Sequence, residues 1–256
     1  MNRILEKFKK GEPSIGSFTH MKSTVAVECI GMGGMDYVII DMEHGATGVD
    51  FMATAVTAAD AAGVTPLVRI NAITREAVLQ PLDVGAKGIV VPAVETVEEV
   101  QQLVQYAKFA PLGKRGFCPT RDGGWGFSDL ALQGADAYMT DCNSQTLLLP
   151  QCETAGCLEH IEEITAIDGV DGILVGPLDL SISLGCPMQL DHPQMVAALE
   201  RIQAACKKNG KISVIFCGDA QTARARISAG YDSVTLSVDT LLCIQTYRNA
   251  VKEIKA

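Results

Sequence analysis

The sequence predicts an α/β protein that folds as one (β/α)8 barrel, the TIM-barrel architecture. Short apolar runs alternate along the chain with longer stretches of helical pattern, and eight such pairs occupy the 256 residues. A closed barrel of this type typically needs about 250 residues. Most of the short runs are continuously hydrophobic, as in Val38-Ile39-Ile40, which is expected of parallel strands buried on both faces. No composition shift or linker marks a second domain, so residues 1–256 are expected to form a single domain.

Each predicted element follows from a local pattern. The strands are assigned to the apolar runs, at 15–19, 37–41, 66–70, 88–94, 146–152, 172–175, 212–216 and 233–237. The helices are assigned to the amphipathic stretches between them, at 25–35, 49–62, 75–82, 97–110, 157–167, 194–209, 220–229 and 239–255. Glycine follows several of these helices directly before the next strand, as at Gly63 and Gly85, and predicts a C-cap there.

One segment, residues 111–141, interrupts this alternation. It holds several glycines, Arg121 and the single tryptophan, Trp125, but no convincing strand. Irregular connections of this length in compact domains are usually functional or disordered. The sequence therefore predicts an inserted loop that acts as a lid or as an oligomer contact.

Composition excludes several classes of function. The formal charge is -9, and the chain lacks the clustered Lys and Arg that a nucleic-acid partner requires. No uncharged apolar run approaches the roughly 20 residues needed to cross a bilayer, and Met1 to Pro13 is too polar for a signal peptide. The nine cysteines form no CxxC pair, and Cys29 and Cys217 lie in apolar segments where they are expected to be buried. The prediction is a cytoplasmic protein without disulfides or a structural zinc.

Polar residues at the strand ends are the candidate site, because active sites of these barrels lie at the carboxyl ends of the strands. Glu153 and Asp179 follow the fifth and sixth predicted strands. Each could separately be a helix cap, but neighbouring strand ends would place the two carboxylates side by side. Such a pair repels unless a cation lies between its members. Two hard oxygen ligands, with water and substrate completing the shell, suit Mg²⁺ or Mn²⁺.

Two further residues suggest acid-base and anion-binding chemistry. His44 follows the second strand, three residues after Asp41, which could orient the imidazole and raise its basicity. The alternative is a solvent-exposed histidine. Arg69 projects from the buried third strand and needs an anion, either a carboxylate or enolate substrate or, alternatively, an internal ion pair with Asp41 or Glu43.

Missing motifs narrow the chemistry. The sequence contains no GxGxxG or Walker motif. The loops after the seventh and eighth strands lack the glycine-rich phosphate cradle that is common in barrels binding phosphorylated ligands or flavin. No lysine ends a predicted strand, which disfavours Schiff-base aldolases and pyridoxal phosphate enzymes.

The motifs at these positions resemble the metal-dependent class II pyruvate aldolases of the HpcH/HpaI group, in the phosphoenolpyruvate/pyruvate barrel superfamily. The resemblance runs in order through almost the whole chain. Its carriers are YVIIDMEH at 37–44, VR at 68–69, QPLDVGA at 80–86, VP at 91–92, RG at 115–116, QCET at 151–154 and VDGILVGPLDLS at 170–181. The sequence departs from the usual pattern at Cys152, at Leu178 and in the loop 117–125. The loop lies where the acceptor aldehyde would be handled, so it bears on substrate identity.

The resemblance implies roles for individual residues. Glu153 and Asp179 would be the protein ligands of a divalent metal, Mg²⁺, Mn²⁺ or Co²⁺. Arg69 would contact the pyruvate oxygen, and His44 with Asp41 would position a catalytic water. It also implies substrate-binding residues. Gln151 would lie next to the metal, and the backbone around Gly176, Pro177 and Leu178 would bind the pyruvate carboxylate. Asp83 would reach a neighbouring subunit's site.

The resemblance also implies the reaction and the assembly. The expected activity is reversible cleavage of a 4-hydroxy-2-oxo acid to pyruvate and an aldehyde, of the kind used in aromatic catabolism. The partners would be a small oxo acid and an aldehyde, and copies of the chain in a hexamer, a dimer of trimers with exchanged C-terminal helices. The alternatives are an acyl-CoA or citramalate-type lyase of the same superfamily, or a catalytically silent barrel serving as a binding or assembly protein.

Overall fold

The computed structural model describes residues 2–256, which contain a closed barrel of eight parallel strands. The strands follow each other around the barrel in chain order, and β1 closes it by pairing with β8. The predicted fold class is therefore confirmed. The strands are β1 (Ser14–Thr19), β2 (Tyr37–Asp41), β3 (Thr65–Arg69), β4 (Gly88–Val91), β5 (Leu147–Cys152), β6 (Gly172–Val175), β7 (Ile212–Cys217) and β8 (Ser233–Val238).

Twelve α-helices are found within residues 2–256, most of them between successive strands. They are α1 (Arg3–Lys10), α2 (Thr24–Met32), α3 (Val49–Ala61), α4 (Arg75–Val84), α5 (Val97–Ala107), α6 (Ala135–Gln145), α7 (Ala155–Glu159), α8 (Ile161–Ala166), α9 (Pro177–Ser183), α10 (Pro193–Lys208), α11 (Ala220–Ser228) and α12 (Asp239–Lys255). No helix in this part of the chain combines the length and apolar character needed to span a membrane.

The strands separate two apolar cores by simple alternation, since successive side chains of a strand point to opposite faces. In β2, Val38 and Ile40 belong to the outer core, beneath the helices, while Tyr37 and Ile39 belong to the core inside the barrel. The next inward residue of that strand is Asp41, which is fully buried. A polar side chain at the last inward position of a strand therefore faces the barrel mouth.

The opposite end of the barrel is closed by α1, which was not among the predicted elements. Ile4 is buried within the interior core. The Asn2 side chain caps this helix and also donates hydrogen bonds to the carbonyls of Lys87 and Gln145, which lie one and two residues before β4 and β5. The helix therefore lies across the amino ends of the strands, and the interior opens at their carboxyl ends.

The segment 111–141 is irregular but anchored. It contains two 3₁₀ helices, Arg121–Gly126 and Ala131–Gln133, before α6 begins. Asp122 accepts hydrogen bonds from Lys87 Nζ at 2.7 Å and from the Tyr138 hydroxyl at 3.0 Å. The missed helix α6 is largely polar and buries only Tyr138 and Cys142, so it carries little amphipathic signal. A role for this segment as a lid or an oligomer contact stays a prediction.

Several local predictions differ from the structure, among them the helix expected at 157–167, which is divided into α7 and α8. Strand β4 ends at Val91 rather than at residue 94, because Pro92 follows and Ala93 adopts a left-handed φ of 51°. A short helix, α9, follows β6 where no helix was assigned from periodicity. Cys29 is exposed, whereas Cys217 is buried as expected. Val27 is the one buried residue of α2, so Cys29 lies on a part of that helix that faces away from the core.

We expect Gly16→Ala to destabilise the fold. A Cβ at this inward position of β1 would overlap the ring of Tyr37. That ring is fully buried and cannot swing aside, because its hydroxyl bonds Thr235. Overpacking of this kind costs about 1–3 kcal/mol. Thermal melting should show a lower Tm for Gly16→Ala, and Gly218→Ala, where a Cβ meets nothing within 4 Å, is the matched control. An unchanged Tm for Gly16→Ala would contradict the packing described for Tyr37.

Candidate active site at the carboxyl ends of the strands

A cavity of about 160 Å³ opens at the carboxyl ends of the strands. It is smaller than the roughly 300–1,000 Å³ pockets that take drug-sized ligands, so it suits a small acid. Apolar side chains from inside the barrel, including Phe18 and Leu174, form its floor, and polar residues of the strand ends form its walls. The polar residues lining it are His20, His44, Arg69, Gln151 and Asp179, and the backbone at Gly176, Pro177 and Leu178 completes it.

Asp41 and Arg69 form the centre of the site. They are register partners on β2 and β3, and both point inward. Arg69 donates bidentate hydrogen bonds to the carboxylate, from Nε to Oδ1 at 2.9 Å and from Nη2 to Oδ2 at 2.6 Å. The backbone amide of Glu43 donates to Oδ1 at 3.0 Å, and that of His44 at 3.4 Å. The internal ion pair weighed as an alternative for Arg69 is therefore present.

This ion pair keeps Asp41 charged despite its burial. Burial by itself would raise the pKa of the carboxyl, but the hydrogen bonds and charge of Arg69, with further help from the Glu43 amide and His20, lower the pKa below its ordinary value. Arg69 has N–H donors left over, because Asp41 takes two of five. The guanidinium also lies 4.5 Å above the Phe18 ring and borders the cavity. It can therefore bind an anionic ligand as well as Asp41.

A second group at the mouth is purely acidic. Glu153 is buried, and its pKa is raised, first by burial and then by the negative charges of Glu43 and Asp179. The pKa of Glu43 is raised as well, by burial and by Asp41 and Asp179, although Arg69 Nη1 lies 3.1 Å from its Oε2. Asp179 itself is exposed at the rim. Three carboxylates with partly unmatched charge therefore face each other.

The backbone and Gln151 hold Glu153 in place. The amide of Ala93, in its left-handed conformation, donates to Glu153 Oε1 at 2.8 Å, and Gln151 Nε2 donates to Oε2. Gly176 is required beside them, because a Cβ there would lie 2.6 Å from Glu153 Oε2 and 2.9 Å from Gln151 Nε2. The strained Ala93 and the close approach of Gly176 both serve one carboxylate.

The residues present fit a hard divalent cation. Gln151 Oε1 is a buried oxygen that accepts no hydrogen bond. Glu43 Oε2 is also buried and has only its ion pair with Arg69, and the carboxylates around these two oxygens repel each other. Within residues 2–256 no group of three or more His, Cys, Asp or Glu encloses a metal position. Glu153 and Asp179 would thus supply only part of a coordination shell, as in sites where water and substrate oxygens supply the rest. Oxygen donors of this kind suit Mg²⁺ or Mn²⁺ rather than soft metals.

The predicted pairing of the His44 imidazole with Asp41 is wrong. The His44 side chain is 62% exposed, and its Nε2 lies 3.8 Å from Glu43 Oε2. Only its backbone amide reaches Asp41. The imidazole that contacts Asp41 belongs to His20, whose Nε2 lies 2.6 Å from Oδ2. His20 was missed as a site residue although it directly follows β1, and its position at a strand end was the available signal.

Asp83 lies away from the cavity. It sits near the end of α4, which runs back along the barrel and therefore ends near the amino ends of the strands. Arg115 Nη2 donates to its Oδ1 at 3.0 Å. It borders a separate surface hollow with Thr120 and Arg121. The structure of one chain does not bring Asp83 to the site, and its role toward a neighbouring subunit stays a prediction.

Comparison with known proteins agrees with this architecture. Residues 14–246 match the family model described as HpcH/HpaI aldolase/citrate lyase. The chain belongs to this family. A hydroxypyruvate/pyruvate aldolase of Rhizorhabdus wittichii is 28% identical over 258 residues, with 100% of both chains covered. A 2-keto-3-deoxy-L-rhamnonate aldolase of Klebsiella pneumoniae is 32% identical over 255 residues, covering 96% of this chain and 92% of the relative.

Solved structures place the fold in the same group. A crystal structure of an HpcH/HpaI aldolase/citrate lyase family protein from Burkholderia cenocepacia superposes with a TM-score of 0.91 at 31% identity, covering 100% of both chains. The comparisons confirm the predicted family and the predicted class of enzyme, an aldolase, which is a carbon–carbon lyase. Aldolases of this family generally depend on a divalent metal.

The acidic cluster predicts an unusual dependence of stability on pH. Because the pKa values of Glu43 and Glu153 are raised, the folded protein holds their protons more tightly than the unfolded chain does. Their contribution to stability therefore falls as pH rises from the ordinary glutamate pKa, about 4.3, through the raised values. In chelator at pH 7, Asp179→Asn should raise Tm, because it removes a negative charge that faces both glutamates.

Two comparisons check this prediction. Asp168→Asn removes an exposed carboxylate away from the cavity and should leave Tm unchanged. Added Mn²⁺ should raise the Tm of the wild-type chain and have little effect on Asp179→Asn. A Tm of Asp179→Asn at or below the wild-type value in chelator would show that the carboxylates do not repel each other.

Proposed function

We propose that this protein cleaves a 4-hydroxy-2-oxo acid reversibly to pyruvate and an aldehyde. The observation that carries the proposal is the arrangement of Arg69, gripping buried Asp41, beside the repelling carboxylates Glu153 and Asp179 in a small cavity. The named activities of the aldolase relatives, on hydroxypyruvate and pyruvate and on 2-keto-3-deoxy-L-rhamnonate, support the same substrate class.

Glu153 and Asp179 would hold the divalent cation, with Mg²⁺, Mn²⁺ or Co²⁺ as candidates, and the Oε1 of Gln151 lies free beside them. When bound, the cation supplies a Lewis acid for the 2-oxo group, where negative charge develops as the carbon–carbon bond breaks. A bound cation would offset the burial and the negative neighbours that raise the pKa of Glu153. This assignment also explains why Gln151 and Ala93 hold the carboxylate from two sides.

The chain's own groups would bind and orient the oxo acid. Arg69 offers N–H donors at the oxygen that gains charge, which stabilises an enolate. The substrate carboxylate would lie at the start of α9, where Gly176 and Pro177 border the cavity. Pro177 has no N–H, but the amides of Leu178 and Asp179 lie in the first helical turn and have no acceptor within it.

One proton must move at the C4 hydroxyl. A base takes this proton, the C3–C4 bond breaks, and the bonding electrons form the pyruvate enolate while the aldehyde leaves. The enolate then takes up a proton at C3 and becomes pyruvate. Two imidazoles, His20 and His44, line the cavity and are the candidate bases. His44 lies at the exposed rim, where it would contact the aldehyde portion of the substrate or a water.

We also propose a cytoplasmic homo-oligomer, a hexamer in which α12 packs on a neighbouring copy. A row of large apolar side chains on this helix is exposed, namely Leu241, Ile244, Tyr247, Val251 and Ile254. Asp83, held by Arg115 at the far end of α4, would approach a neighbour's cavity in such an assembly. Analytical ultracentrifugation tests the stoichiometry.

The function is tested by two assays on the full chain with Mg²⁺ or Mn²⁺. The first follows exchange of the pyruvate methyl protons in D₂O, which requires only enolate formation. The second measures pyruvate release from a panel of 4-hydroxy-2-oxo acids, and aldol formation from pyruvate with a panel of aldehydes. Both activities should be lost in chelator. Absence of exchange and of cleavage with every metal would overturn the proposed function.

Arg69→Lys should lower cleavage by about 10²–10³-fold, the loss typical of removing one donor at a developing oxyanion. A single ammonium cannot grip Asp41 at two points and also reach the substrate. Arg201→Lys is the matched control, because Arg201 makes a similar two-point contact with Glu162 on the surface. Steady-state kinetics on both variants tests this prediction, and near-normal turnover of Arg69→Lys would contradict the role proposed for Arg69.

A further inference from the structure

His20 borders the cavity, and one nitrogen of its ring is bound to a buried carboxylate. Its ring lines the cavity, and its side chain is 28% exposed. Its Nε2 contacts Oδ2 of fully buried Asp41 at 2.6 Å. No other hydrogen bond of this ring occurs within residues 2–256, so Nδ1 is the free nitrogen.

The hydrogen bonds of Asp41 determine which ring nitrogen carries the proton. Asp41 is held as a carboxylate by Arg69, whose two N–H groups reach both of its oxygens. A carboxylate only accepts, so the proton of the short contact with His20 resides on Nε2. The neutral ring then presents its lone pair at Nδ1. This is the arrangement in which a buried carboxylate fixes the tautomer of a histidine base and stabilises its protonated form.

The segment that carries His20 is itself fixed. Asp239, the first residue of α12, accepts hydrogen bonds from the backbone amides of His20 at 2.9 Å and Met21 at 3.2 Å. It also accepts one from the Thr19 hydroxyl at 2.6 Å. Base residues need fixed positions, because a proton transfer requires a short and directed contact. His44 has no comparable restraint on its ring, which is 62% exposed.

We propose that His20, oriented by Asp41, is the general base for the C4 hydroxyl. This inference rests on the proposed function. In cleavage, Nδ1 takes the hydroxyl proton, the O–H electron pair forms the second bond of the aldehyde carbonyl, and the C3–C4 pair passes to the pyruvate enolate. In the aldol direction the imidazolium returns the same proton to the alkoxide. To complete cleavage, C3 of the enolate takes up one proton to become pyruvate and the imidazolium gives up the one that it took, so protons balance and no oxidant or reductant is needed.

The test compares two reactions of one preparation. Cleavage of the hydroxy acid requires the base, whereas decarboxylation of oxaloacetate leads to the same enolate without a hydroxyl proton to remove. In His20→Gln the amide can still donate to Asp41 but cannot accept the proton. The ratio of cleavage to decarboxylation should therefore fall by about 10²–10⁴-fold, the usual contribution of general-base catalysis. Because both rates scale with the folded fraction, the ratio does not depend on the stability of the variant.

Two further variants complete the experiment. His44→Gln should lower the ratio much less than His20→Gln does, and His160→Gln, at an exposed site distant in the chain, should leave it unchanged. An unchanged ratio in His20→Gln, whether both rates stay at the wild-type level or fall together, overturns the base assignment. A larger fall in His44→Gln also overturns it. A wild-type chain without either reaction would instead overturn the proposed function.

Discussion

The buried pair of Asp41 and Arg69 organises the mouth of the barrel. An unpartnered carboxylate at a fully buried position would cost several kcal/mol or take up a proton, and Arg69 meets it with two directed hydrogen bonds. The same carboxylate oxygens also accept hydrogen bonds from the Glu43 amide and from the ring of His20, and so fix the positions of both. The positions of the loop after β2 and of the His20 ring, directly after β1, thus depend on one guanidinium on β3.

The carboxylates at the cavity outnumber the single guanidinium of Arg69. Among the described residues that line the cavity, Arg69 is the only lysine or arginine, and its charge is largely used by Asp41 and Glu43. Glu153 and Asp179 are left to repel each other, which lowers stability at neutral pH. Proteins commonly accept such a cost at active sites. The net charge of -9 describes the whole surface, whereas binding of a small anion depends on these few local charges.

For some residues of the candidate site the sequence predicts which way the side chain points, and for others it does not. The inward positions of Asp41, Arg69 and Gln151 follow from strand alternation, once the strands have been assigned. The contact of His44 with Asp41 was inferred from a spacing of three residues, which does not set side-chain direction in a turn. The imidazole actually bound to Asp41 comes from His20, 21 positions earlier in the chain. Only the pairing of β1 with β2 brings these two residues together.

The residue pattern was enough to predict the barrel and the family, because apolar periodicity and ordered motifs can be read from the chain without coordinates. It did not reveal α1 or α6, since one caps the barrel end and the other is mostly polar. The packed barrel shows which imidazole Asp41 binds, that the Ala93 amide holds Glu153, and that Gly176 leaves room for this carboxylate. Hydrogen bonds between distant residues depend on atomic positions that only the packed strands define, and local residue patterns do not contain them.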